Sequence, residues 1–248
     1  MSPELKNIFD NHDIVLLTET WTDKYADLTV HNFEHFVLHR TEIKSKSKRS
    51  SGGIIVYMKN KFVSRDTQVF QSQDDILCVK IEAHLLGLEY DLFLCLCYVV
   101  PENSSRQAML DSHTYQRLLD FIVSLDSKYE NVFHLTVCGD LNSRTSDLPD
   151  YVTDDNFSNF DVLPDDYIID TEILRYSQDK RHVNNNGQML LDHCKQTGLR
   201  IVNWRFSCDQ GIGRKTFISS SGSSLVDYVL VTQNLLSNID YFQVHDPN

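Results

Sequence analysis

The stretch Thr136-Val137-Cys138-Gly139-Asp140-Leu141-Asn142 decides how the rest of this chain is read. Val132 to Cys138 is a short, continuous apolar run with a β-branched bias, the signature of a buried strand. It ends on Gly-Asp-Leu-Asn, whose glycine, aspartate and asparagine all favour a tight turn. Turns at strand ends are also where active-site residues are commonly carried. Four further segments repeat the arrangement of an apolar run ending on a polar residue. They are Ile14-Val15-Leu16-Leu17-Thr18-Glu19-Thr20-Trp21, Leu94-Cys95-Leu96-Cys97-Tyr98, Arg214-Lys215-Thr216-Phe217 and Leu225-Val226-Asp227-Tyr228-Val229-Leu230-Val231.

Between these segments the pattern predicts an α+β chain. Strands are expected at 13–18, 33–38, 54–58, 76–81, 92–99, 132–138, 199–203, 215–218 and 226–231, with a last one at 241–244. Residues 3–10 read as the end of a helix. Gln107 to Ser127 carries Met109, Leu110, Leu118, Leu119, Ile122 and Leu125 at helical spacing. Asn186 to Thr197 reads as a helix stopped by Gly198. Residues 143–180 are rich in aspartate and read as a long surface loop with at most a turn or two of helix. Short buried strands with a few helices imply two sheets packed face to face with helices outside. No internal repeat and no linker appears, so the expectation is a single domain over residues 1–248.

Composition narrows the class. The 248 residues are 41% hydrophobic and 23% charged, ordinary for a packed globular protein. No apolar run approaches the roughly 20 residues of a membrane span, so no membrane association is expected. The formal net charge of -12 argues against a generally basic nucleic-acid binder, but a local basic patch and bound cations still permit a nuclease. Cys78, Cys95, Cys97, Cys138, Cys194 and Cys208 form no Cys-x-x-Cys pair. They read as reduced, mostly buried thiols of an intracellular protein, with no zinc site.

The ordered motifs resemble the endonuclease/exonuclease/phosphatase family, the fold of pancreatic DNase and the abasic-site endonucleases. The matching residues are Glu19-Thr20-Trp21, Tyr98-Val99-Val100-Pro101, Gly139-Asp140-Leu141-Asn142 and Val226-Asp227-Tyr228. A narrower likeness is to the endonuclease domains of non-LTR retrotransposons. It is carried by Gly139 to Thr145 with Leu148-Pro149-Asp150-Tyr151, by Arg175 to Lys180, by Leu190-Leu191-Asp192 with Cys194, and by Gly198 to Asn203 ahead of Thr216-Phe217. The resemblance implies a four-layer α/β/β/α sandwich of two mixed sheets with outer helices. It also implies Mg²⁺ (or Mn²⁺) as cofactor, no small-molecule cofactor, DNA as partner, a monomer, and a nuclear location for a functional protein.

The same resemblance assigns roles. Glu19 would hold the metal, since hard cations prefer carboxylate oxygens and keep several waters. Tyr98 would hydrogen-bond a phosphate oxygen. Asp140 would orient or deprotonate the attacking water, or assist the leaving group. Asn142 would donate to the scissile phosphate. Asp227 would pair with a closing histidine. Asn203 and Thr216 are second-tier candidates that would support Asp140 or the phosphate. The pattern departs from the family at both ends. Only 18 residues precede Glu19 and none forms the usual Asn-bearing strand, while His245-Asp246-Pro247-Asn248 stands where Ser-Asp-His is expected. A missing histidine of this kind is worth about 10²-fold or more in rate, so the expectation is a truncated domain of severely reduced or no activity.

Three other signals carry less. His31, His35 and His39 would line one face of a helix, but Phe33, Phe36, Val37 and Leu38 predict a strand there. Lys44 to Arg49 could touch a DNA backbone, though a solvated loop explains it equally well. The aspartates Asp147, Asp150, Asp154, Asp155, Asp161, Asp165, Asp166 and Asp170 lack the order of a calcium-binding loop and read as a variable solvated segment. Three functions remain in view: a DNA-nicking endonuclease, a family relative acting on a lipid, inositol phosphate or RNA phosphodiester, and a catalytically dead remnant or DNA-binding module.

Overall fold

The computed structural model describes residues 2–39, 52–72, 75–104, 113–130, 132–152, 170, 172–220 and 222–245. They group into two compact units. The first comprises residues 1–142 with 227–229, and the second residues 143–226 with 230–248.

In the first unit, helix α1 (Pro3–Asn11) begins on Ser2, whose hydroxyl accepts from the Leu5 amide, with Pro3 in the first turn. Strands β1 (Ile14–Thr18), β2 (Phe33–Leu38) and β3 (Ile54–Lys59) form an antiparallel sheet in the order β1-β3-β2. The second sheet is mixed. It holds β4 (Gln68–Ser72), β5 (Ile76–Ile81), β6 (Leu92–Cys97), β7 (His134–Asp140) and the first residues of β11 (Asp227–Thr232), neighbouring in that order. β4, β5 and β6 pair antiparallel, whereas β6 and β7 run parallel. A parallel pair needs a long crossover, and α3 (Thr114–Tyr129) lies in the connection. The four-residue helix α2 (Ala83–Leu86) closes on Gly87.

The side-chain period of two explains the layers. Ile54, Val56 and Met58 of β3 face Leu77, Val79 and Ile81 of β5 and Leu94 and Leu96 of β6 across the inter-sheet core. Ile55 and Tyr57, one residue out of phase, point to the other face, where Phe9 and Leu5 of α1 cover them. The Phe9 ring packs edge-on to Phe33 and Tyr57 at 5.1 and 5.0 Å. On the far side of the second sheet, Phe121 and Tyr129 of α3 meet Phe70 and Phe93 at 5.6 and 5.1 Å. Helix, sheet, sheet, helix is the four-layer sandwich. Burying each such aliphatic or aromatic side chain contributes about 1.5–3 kcal/mol. β3 is therefore apolar on both faces, which is why it reads as an unbroken apolar run.

In the second unit, α4 (Asn185–Thr197) is capped by the Asn184 side chain and stops at Gly198 in the left-handed conformation. β8 (Leu199–Ile201) pairs antiparallel with Leu230–Thr232 of β11, and β9 (Phe217–Ser219) with β10 (Gly222–Ser224). Tyr241–Val244 is not the strand its alternation predicts. It forms no ladder, and the Phe242 amide donates to the Ser207 carbonyl instead.

The aspartate-rich segment also departs from expectation where it is described. Asp150 is fully buried, as are Ser143, Thr145 and Tyr151. Its carboxylate takes both Arg205 Nη atoms at 2.7 Å and the Ile201 amide at 2.7 Å. Asp170 pairs with the buried Arg200, and Asp179 with Arg181. Asp150 can sit in the interior because Arg205 meets it there. Asp154, Asp155, Asp161, Asp165, Asp166 and the Lys44–Arg49 run lie outside the described residues, as does the start of the helix expected from Gln107. Helix α3 is described from Thr114. Five cysteines are buried and free and Cys208 is exposed and free. Among the described residues, no helix is long and apolar enough to cross a membrane.

Candidate active site

β1 stops at Thr18 and the chain turns at once. Glu19 (φ +51°) and Trp21 (φ +53°) both adopt left-handed backbone, a conformation L residues rarely take. Two hydrogen bonds from the entrance of β3 hold them there: the Thr20 amide donates to the Gly53 carbonyl at 3.2 Å and the Trp21 amide to the Gly52 carbonyl at 2.9 Å. A Cβ on Gly53 would stand 2.8 Å from Thr20 Oγ1, and its own φ of +89° already excludes most side chains. Gly52-Gly53 therefore sets the direction of Glu19, a part of the site that a reading of the acids alone missed.

Tyr98 lies one residue beyond β6. Its amide donates to the Asp75 carbonyl at 2.9 Å, and its hydroxyl donates to Glu19 Oε1 at 3.0 Å. Asp75 is itself buried, with its carboxylate held by Arg117 and by the Thr114 hydroxyl at 2.6 Å. This ion pair beneath Tyr98 had no sequence signal, because its members are 42 residues apart.

Asp140 ends β7. The Val99 amide donates to its carbonyl at 2.8 Å, tying the Tyr98 segment to the Asp140 segment. Gly139 before it has φ +134°, and a Cβ there would come within 2.0 Å of the Cys97 carbonyl oxygen. Only glycine lets these two strands approach so closely. Asn142, also left-handed at φ +44°, donates its amide to Asp140 Oδ1 at 3.0 Å and its side-chain Nδ2 to the Val99 carbonyl at 2.8 Å. Asn142 thus braces the turn that aims Asp140.

The electrostatics bring the acids together. Burial pushes the Asp140 carboxyl up to about 7, and the charges of Asp227 and then Glu19 add to the rise, against the lowering effect of the Asn142 amide. Glu19, Tyr98, Asp140, Asn142 and Asp227 all belong to the first unit. Asn203 and Thr216 belong to the second. There Asn203 is buried ahead of the Trp204 turn, and Thr216 Oγ1 accepts the Val226 amide at 3.1 Å. Among the described residues, no group of three or more His, Cys, Asp or Glu is arranged to hold a metal ion by itself. His35 lies on β2 with its ring 5.9 Å from that of Tyr57, so the histidine triplet does not line a helix.

The sequence profile of the endonuclease/exonuclease/phosphatase family matches residues 3–247. The chain belongs to that family. Endonuclease/exonuclease/phosphatase proteins are nucleases and phosphatases acting on phosphodiester bonds. The comparison with curated proteins returns no match. Solved structures share the family fold at low identity. The AP endonuclease LMAP from Leishmania major superposes with a TM-score of 0.61 at 15% identity, over 95% of this chain and 74% of that one. The 3′ phosphatase NExo from Neisseria, bound to a product DNA hairpin, gives 0.54 at 13%, over 95% and 82%. The endonuclease domain of TRAS1, a telomere-specific non-LTR retrotransposon, gives 0.51 at 14%, over 98% and 86%.

Proposed function

We propose that the chain is a divalent-metal-dependent, DNA-nicking endonuclease of retrotransposon type, working in the nucleus as a single-domain monomer. The observation that carries this reading is the Tyr98 hydroxyl on the Glu19 carboxylate at 3.0 Å, beside an Asp140 whose proton affinity Asp227 and Glu19 both raise. The donor set fits Mg²⁺ or Mn²⁺. It is all oxygen, and the raised proton affinity of Asp140 marks negative charge that a hard cation offsets. Glu19 would hold the ion, with waters and substrate phosphate completing its shell. Once bound, the ion would supply Lewis-acid stabilisation of charge on the phosphate.

The chain's own groups do the rest. Tyr98 donates to a phosphate oxygen when it is not holding Glu19. Asp140, with a proton affinity near neutrality, accepts the proton of the attacking water, which is the range in which a general base works best. Asn142 fixes the Asp140 carboxylate through its backbone amide and donates from its side chain to the phosphate. Asp227 supplies negative charge beside Asp140 and keeps its proton affinity high.

Relaxation of supercoiled plasmid tests this. Nicked circles are expected with Mg²⁺ or Mn²⁺ and none with EDTA, and Glu19→Ala or Asp140→Asn should slow nicking about 10²-fold or more. Equal nicking by either variant would overturn the assignment. A second reading is a DNA-binding module without turnover. That reading predicts DNA retained in an anisotropy titration and no nicking with either ion.

A further inference from the structure

Two large aromatic side chains stand in solvent within five residues of one another. Trp21 is 55% exposed and Tyr25 is 82% exposed. They lie two and six residues after Glu19. The Trp21 backbone is left-handed and its amide is tied to Gly52, so the fold holds this indole outward in a conformation that is unfavourable for a bulky residue. Tyr25 is presented by a turn of its own: its amide donates to Asp23 Oδ1 at 2.9 Å and the Ala26 amide to the Asp23 carbonyl at 3.1 Å. Lys24 places its ammonium 5.1 Å from the centre of the Tyr25 ring.

Two exposed π-faces, one of them with an ammonium beside it, have the chemistry that takes up nucleobases and their phosphates. Every base has a π-face, so stacking tolerates any sequence, and the cation meets the backbone. The need for it follows from the net charge of -12, which gives the chain no general attraction for nucleic acid. In an intact duplex each base face is already covered by its neighbours. An unpaired base offers its face at little cost.

We propose that Trp21, with Tyr25 and Lys24, is a stacking platform for an unpaired nucleobase next to the phosphate at Glu19, so that the chain prefers nucleic acid with a single-stranded or bulged base at that position. The inference rests on the phosphodiesterase reading of Glu19 and Asp140 and names the substrate form that this site takes.

Tryptophan emission tests it on the full chain in EDTA, so that nothing is cut. The chain has two tryptophans. Trp204 is buried and its ring is covered by the Arg175 guanidinium at 4.2 Å, so quenching by an added oligonucleotide reports on Trp21. A labelled single strand and its matched duplex are titrated, with binding followed by anisotropy. The single strand should quench the emission. Trp21→Ala and Tyr25→Ala should each weaken single-strand binding on the order of ten-fold, spare duplex binding, and leave thermal melting unchanged, and Trp21→Phe should restore most of the affinity. Single-strand binding with unchanged emission, or single-strand affinity retained in Trp21→Ala, overturns the platform. If nicking still depends on Glu19 in that case, the phosphodiesterase reading stands without it. Absence of single-strand binding in EDTA removes the platform, and the phosphodiesterase reading is then decided by nicking alone.

Discussion

At the scale of single residues, Asp140 makes the sharpest prediction. Its carboxyl sits near 7 in the folded chain against 3.8 ordinarily, so the folded state holds the proton more tightly than the unfolded state. Stability from this group is therefore fully present below about pH 3.8 and is lost as pH rises through about 7. In EDTA, the urea midpoint should fall between about pH 5 and about pH 8 by on the order of 1–3 kcal/mol in stability, and Asp140→Asn should flatten that slope. An unchanged slope in the variant would show that Asp140 does not carry the effect. Gly139 makes a steric prediction. A methyl at this position would meet the Cys97 carbonyl in a backbone conformation L residues avoid, so Gly139→Ala should cost about 3 kcal/mol or more by denaturant titration.

At the scale of elements, helix α4 depends on one side chain. Asn184 Oδ1 accepts the Gly187 amide at 2.9 Å and the Arg144 amide at 2.8 Å, so it caps the helix and pins the incoming loop together. Asn184→Ala should cost about 1–2 kcal/mol, and the loss should exceed that of an ordinary cap because two donors lose their acceptor. Most elements were legible from the sequence. β2 and β5 match their predicted bounds residue for residue, and β3 runs one residue beyond its predicted end at Met58; β3 and β5 stand out because strands buried on both faces have few polar interruptions, whereas β2 carries the exposed Glu34. β4 was not legible. Gln-Val-Phe-Gln-Ser has little apolar content and becomes a strand by pairing with β5. Tyr241–Val244 shows the converse, an alternating pattern that finds no ladder.

At the scale of the whole molecule, the two units rest on different physics. The first is mainly an apolar sandwich, with the buried Asp75–Arg117 pair held under the Tyr98 segment. The second buries ion pairs, above all Asp150 with Arg205, whose side chains are 0% and 2% exposed. Asp150→Ala would leave a guanidinium buried without its carboxylate, and should cost about 3–5 kcal/mol. Hydrogen exchange should register the loss in β8 and α4 more than in β3 and β5. The second unit also has a pH sensitivity of opposite sign. Burial holds His193 down to about 4, so its contribution to stability is present above about 6.5 and is lost as pH falls toward 4. Between about pH 4 and about pH 6.5 this gain opposes the loss from Asp140 in metal-free protein, so the net fall should be concentrated above about pH 6.5, and His193→Gln should extend it to lower pH.

The sequence by itself determined most of the strands, the layered class and the order of Glu19, Tyr98, Asp140, Asn142 and Asp227, because apolar periodicity and turn chemistry are local properties of the chain. The convergence of those residues was decided by tertiary structure. It took the β6–β7 parallel pairing to tie Val99 to Asp140, the Gly52-Gly53 hinge to turn Glu19 onto the Tyr98 hydroxyl, and burial to raise the proton affinity of Asp140. The reach of a side chain is a few ångströms, whereas these partners are tens of residues apart. Only the packing of two sheets converts their order along the chain into a distance.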